Sequence, residues 1–119
     1  MNSQIKEKWI NALRSGKYKQ TQGNLYEPGV GYCCLGVLTD LYLKEKGLEW
    51  DTNGTNSYSG WGSVDDEYEF LPDSVRNWAG LKDNRGTYED DTLVFPALTD
   101  LNDNGNTFDD IADVIECKF

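Results

Sequence analysis

"GYCCLGVLTDLY", residues 31–42, sets two cysteines side by side at the mouth of an apolar run. The reading of that run decides the fold. A helix from about Tyr32 to Lys46 puts Cys34, Val37, Leu38, Leu41 and Tyr42 on one buried stripe, at spacings of three and four. Gly47 is its C-terminal stop. Cys33 turns about 100° away from Cys34 and is expected at the margin, near Asp40 and Lys44. Gly36 is weak in a helix but permits close approach by a neighbouring segment. Adjacent Cα atoms lie about 3.8 Å apart, closer than ordinary disulfide geometry tolerates, so the pair is predicted to be reduced. A nucleophilic thiolate would need a lowered pKa and a general base. The expected role is packing, with Cys34 buried and Cys33 intermediate.

The base is missing because the chain contains no histidine. That excludes Ser-His-Asp and Cys-His catalysis, imidazole proton shuttling and His-ligated metals. No cofactor or metal is expected. The 119 residues, 38% hydrophobic and 13% aromatic, suit one domain over 1–119 with one core. No apolar run approaches the roughly 18 residues of a membrane span. No basic-then-apolar leader opens the chain, and three cysteines is an odd count. A cytoplasmic protein is therefore expected.

Charge is uneven along the chain. Residues 1–46 hold seven Lys/Arg and four Asp/Glu, a net of +3, whereas 47–119 carry −13 of the total −10. The acidic part repels nucleic acid and anionic lipid and attracts basic protein surfaces.

Outward from the central run, Ser3 is placed to cap a first helix and Gly16 to close it. Ile5, Trp9, Ala12 and Leu13 form its inner face. "KYKQTQGNLY", 17–26, reads as one extended strand or arm, and "EPGVG" as a turn. Residues 51–63 are a Gly/Asn/Ser/Thr loop flanked by short strands at 48–50 and 67–71. "LPDSVRNWAGL" is a short helix ended by Gly80, and 82–92 is a second loop. Two closing helices are predicted at about 95–103 and 108–118, with Gly105 as a left-handed stop, Thr107 as the next cap and Asp110 in its capping box. The class is α+β, mostly helical, with a small antiparallel sheet or hairpin.

"WINALRSGKYKQTQG", "YCCLGVLTDLY", "LPDSVRNWAGL" and "LTDLNDNGNTFDDIADVIE", in that order, resemble a family of small uncharacterised proteins encoded by bacteriophages and some bacteria. The resemblance implies a phage gene product acting in a host bacterial cytoplasm. It implies no catalytic residues.

Several motifs carry a chemical and a structural reading. Asp100, Asn102, Asn104 and Gly105 open like an EF-hand loop, but Ile111 stands where a bidentate Glu is needed. The helix after that turn would have to read DNA with Asp109, Asp110, Asp113 and Glu116, which a phosphate backbone rejects. No direct DNA binding is expected. Those four acids, extended by Asp100 and Asp103, are either a solvated face or a docking surface for a basic host protein. The docking reading makes the protein a non-enzymatic inhibitor or adaptor directed at host machinery such as defence. The alternative is a small-molecule binder for a nucleotide signal. Its pocket would be lined by Tyr58, Trp61, Tyr68 and Tyr88, with Lys17, Lys19, Arg76 and Arg85 on the phosphates.

Overall fold

The computed structural model of the chain describes residues 1–52, 62–89 and 96–119. Its elements run α1 (Ser3–Arg14), β1 (Tyr26–Glu27), β2 (Gly31–Tyr32), α2 (Cys34–Lys46), α3 (Asp73–Ala79), α4 (Leu98–Asp103) and α5 (Phe108–Lys118). The α+β class stands: helices surround one core, and one antiparallel pair, Tyr26 opposite Tyr32 and Glu27 opposite Gly31, forms the sheet. Pro28 and Gly29 make its turn. Proline presets φ at the first central position, and Gly29 takes φ +79° at the second, with the Val30 N–H donating to the Glu27 carbonyl at 2.9 Å.

α2 is the central element. Its first two turns are buried on every side: Cys34, Leu35, Gly36, Val37, Leu38, Thr39 and Asp40 are all covered. The predicted stripe is therefore too narrow there, and Leu41 and Tyr42 are only half-buried. α1 and α4 pack on α2, and the segment at Leu25 crosses it at Gly36. A Cβ on Gly36 would sit inside the Leu25 carbonyl, so this glycine is the close-approach point that the sequence suggests.

Cys33 is corrected. α2 starts at Cys34, because Tyr32 belongs to β2. Cys33 is thus an extended N-cap, only 5% exposed, and its Sγ accepts the Gly36 N–H at 3.3 Å. Asp40, expected at the margin, is also buried. Thiol titration is expected to modify exposed Cys117 in the native protein. Cys33 and Cys34 should react together, only on unfolding. Native labelling of Cys33 ahead of Cys34 would contradict this packing.

Other boundaries move for local reasons. Asn2, not Ser3, caps α1, its Oδ1 accepting from the N–H groups of Gln4 and Ile5 at 3.0 Å. Residues 17–25 form no strand; they touch the sheet through a parallel bridge from Gln20 to Tyr32. The strands expected at 48–50 and 67–71 are replaced by isolated bridges, Asp51 to Ser63 and Val64 to Glu67. α4 begins at Leu98 rather than near 95. The Thr107–Asp110 capping box is present, and Gly47, Gly80 and Gly105 have the positive φ of helix-ending glycines.

One polar residue ties the core together. Asn102 on α4 is fully buried. Its Oδ1 accepts the Cys34 N–H at 3.1 Å and a Gln20 Nε2–H at 2.9 Å, and its Nδ2 donates to the Thr21 carbonyl at 2.7 Å. It thereby caps α2 in place of solvent and pins the 20–21 arm to α4.

Candidate functional site

The closing helix separates its faces as its sequence predicts. Phe108, Ile111, Ala112 and Ile115 are buried, while Asp109, Asp110, Asp113 and Glu116 are exposed. Asp100 and Asp103 on α4 are exposed as well. These six carboxylates are not equivalent. Arg14 Nη2 reaches Asp113 at 2.7 Å and Glu116 at 2.8 Å, which raises the guanidinium pKa through hydrogen bonds to Glu116 and then Asp113. Asp110 accepts the Thr107 N–H at 3.2 Å within the capping box. Asp103 accepts the Gly23 N–H at 2.9 Å. Among the described residues Asp100, Asp103, Asp109 and Asp110 have no cationic partner.

The calcium-like stretch is closed off by its own folding. Asn102, which would be a ligand, turns inward and spends its Oδ1 on Cys34 and Gln20. Among the described residues no group of three or more Cys, Asp and Glu is arranged to hold a metal.

Burial disfavours the thiolate form of both core cysteines. Burial pushes Cys33 up to about 12 and Cys34 well above its ordinary value. The Cys34 S–H donates to the Leu98 carbonyl at 3.6 Å.

Part of the aromatic pocket expected from sequence, Tyr58 and Trp61, falls outside the described residues. Arg76 pairs with Asp73 on its own helix at 3.5 Å. Arg85 stacks on Phe70 with 4.9 Å to the ring centre. Tyr88 packs on Phe119 and lines a cleft of about 390 Å³ with Met1 and Leu81, a cleft that Tyr68, Arg76 and Arg85 do not line.

A different aromatic cluster forms around Asp40. Tyr26 and Tyr32 stack across the hairpin at 4.5 Å, Tyr18 meets Tyr32 edge-on at 5.0 Å, and Trp50 leans on Tyr26 at 5.2 Å. Asp40 anchors them. Its Oδ2 accepts from the Tyr18 hydroxyl at 2.6 Å and from Lys44 Nζ at 2.9 Å, and its Oδ1 accepts from the Trp50 indole at 3.1 Å. Beside this cluster, between α1 and α2, lies an open groove of about 530 Å³. Ala12, Leu41, Tyr18 and Tyr32 give it an apolar floor, and Lys17 and Lys44 line it too. The sequence groups Lys17 and Lys19 with Tyr58, Trp61, Tyr68 and Tyr88, whereas in the structure Lys17 lines this groove beside Tyr18 and Tyr32. The Asp40–Lys44 spacing on one helix face was the available signal.

No helix among the described residues is long and apolar enough to cross a membrane. No curated protein and no solved structure matches the chain. One family model does match, over residues 1–119, and the chain therefore belongs to the family described as "Domain of unknown function (DUF8296)".

Proposed function

We propose that this is a phage accessory protein that acts by binding rather than by catalysis. Its α4–α5 surface docks on a basic face of a host protein and inhibits or redirects it in the bacterial cytoplasm. One observation carries the reading. Six exposed carboxylates fall within 100–116, and the described residues supply a single cationic partner, Arg14, for two of them. Unpaired like charges raise local potential and favour a complementary partner, chiefly through its rate of encounter. The buried thiols, whose thiolate form burial disfavours, and the absence of histidine from the sequence support a non-enzymatic role. The resemblance to phage-encoded proteins supports the setting.

The test separates charge from structure. Asp100→Asn with Asp109→Asn removes two charges that make no hydrogen bond or ion pair among the described residues. Stability is expected to stay within about 0.5 kcal/mol. Capture of an identified host partner should weaken, and the wild-type complex should lose affinity as salt rises, since screening acts within roughly 10 Å at 0.1 M. Equal capture of the same partner by the variant, at low and high salt, assigns this face to solvation alone. The full set, with Asp103, Asp110, Asp113 and Glu116 also neutralised, confounds the question, because these four hold Gly23, the α5 cap and Arg14.

A further inference from the structure

The α1–α2 groove runs against the charge of its own chain. The protein carries −10 overall, yet no acidic residue lines this groove and two lysines do. Lys17 is exposed and has no ion pair among the described residues. Lys44 gives one N–H to Asp40 at 2.9 Å and one to the Tyr18 hydroxyl at 3.3 Å, which leaves its third N–H for another acceptor. The Tyr32 hydroxyl has no hydrogen-bond partner among the described residues, and burial holds its pKa at about 12, so it stays an O–H donor. The Asp40 network fixes Tyr18 and Lys44 in advance, which lowers the ordering cost of a ligand. The volume of about 530 Å³ lies within the roughly 300–1,000 Å³ of small-molecule sites.

We propose that this groove binds a small planar aromatic anion of the nucleoside monophosphate class. The base lies on Ala12, Leu41 and the Tyr18 and Tyr32 rings, and Lys17, Lys44 and the Tyr32 hydroxyl hold the phosphate. Tyrosine rings accept a flat partner by stacking or edge contact, and ammonium groups bind phosphate as point charges. An extended polyanion is disfavoured, because the −13 carried by 47–119 repels a nucleic-acid backbone, whereas a single phosphate is short enough for the groove alone. The proposal is independent of the acidic docking face.

Calorimetry with AMP, GMP, CMP and UMP at low salt tests it, with adenosine and inorganic phosphate as separate probes. At least one nucleotide is expected to bind with one site per chain, more tightly than either probe. Lys17→Glu should weaken it at least tenfold and Tyr32→Phe severalfold. Both substitutions leave the buried core untouched, and a thermal melt of each variant checks that it folds. Asp100→Asn with Asp109→Asn should not weaken the nucleotide, so failure of the docking surface and failure of the groove are read separately. No binding by any of the four nucleotides overturns the proposal. So does unchanged affinity in Lys17→Glu, or inorganic phosphate binding as tightly as the nucleotide.

Discussion

Gly36→Ala is expected to be the most damaging single methyl in this chain. The added Cβ would overlap the Leu25 carbonyl and crowd its carbon as well. Leu25 has no room to withdraw. Its side chain is fully buried, its N–H donates to the Tyr68 carbonyl at 2.7 Å, and its carbonyl accepts the Cys33 N–H at 3.1 Å. α2 cannot withdraw either, since its first two turns are covered on all sides. Overpacking of a tight core typically costs about 1–3 kcal/mol and more where backbone is struck. Here two backbones collide, so roughly 3 kcal/mol or more is expected. Helix propensity favours alanine by about 1 kcal/mol, which is too little to reverse the sign. Urea unfolding should show a midpoint well below wild type. A midpoint equal to or above it would mean that Leu25 does not cross α2 at this residue.

Asn102→Ala is expected to rank next. It leaves the Cys34 N–H, the Thr21 carbonyl and the Gln20 amide without their present partner. Each buried polar group left unmade costs about 1–3 kcal/mol. The losses are not additive, because Gln20 keeps its bond to the Asn106 carbonyl at 2.7 Å. A total of roughly 3–5 kcal/mol is a large part of the 6–18 kcal/mol or so expected for a chain this long. Asn102→Asp tests the polarity of the site. It keeps the acceptor for Cys34, removes the donor to Thr21 and buries a charge, so it should be no better than alanine. Hydrogen exchange at the Cys34 amide reports the same bond directly. Wild-type protection retained in Asn102→Ala would show that the amide finds its partner elsewhere.

Much of this architecture is legible in the sequence because the signals are local. Thr107, Asp110 and the apolar spacing of 108–115 specify α5 without help from the rest of the chain. Gly47, Gly80 and Gly105 mark chain reversals by their own φ. Apart from the α1 cap, which passes to the neighbouring Asn2, the main misreadings depend on partners from other segments. Tyr32 looks helical by its neighbours, but pairing with Tyr26 and Gln20 draws it into the sheet and delays α2 until Cys34. Asn102 falls near the end of the predicted 95–103 helix among Asp and Asn residues that look solvent-facing, and only the approach of Cys34 and Thr21 gives it core work. The groove was half-visible. Asp40 and Lys44 are four apart on one helix, but Tyr18, 22 residues upstream of Asp40, completes the cluster through a chain path that no periodicity encodes.

The pairing of α1 with α5 has a consequence for synthesis. α5 is the main partner of α1, and the bonds between them run from Arg14 to Asp113 and Glu116 and from Lys6 to the Glu116 carbonyl. On a ribosome the apolar side of the first helix, with Ile5, Trp9, Ile10 and Leu13, emerges long before its cover exists. The intervening chain takes on the order of 5–20 s to translate at ~5–20 residues per second. During that interval the nascent chain presents a tryptophan-bearing amphipathic segment to whatever surrounds it. A holdase chaperone is the expected first companion of this protein, and yield should fall with slow codons placed between α1 and α5.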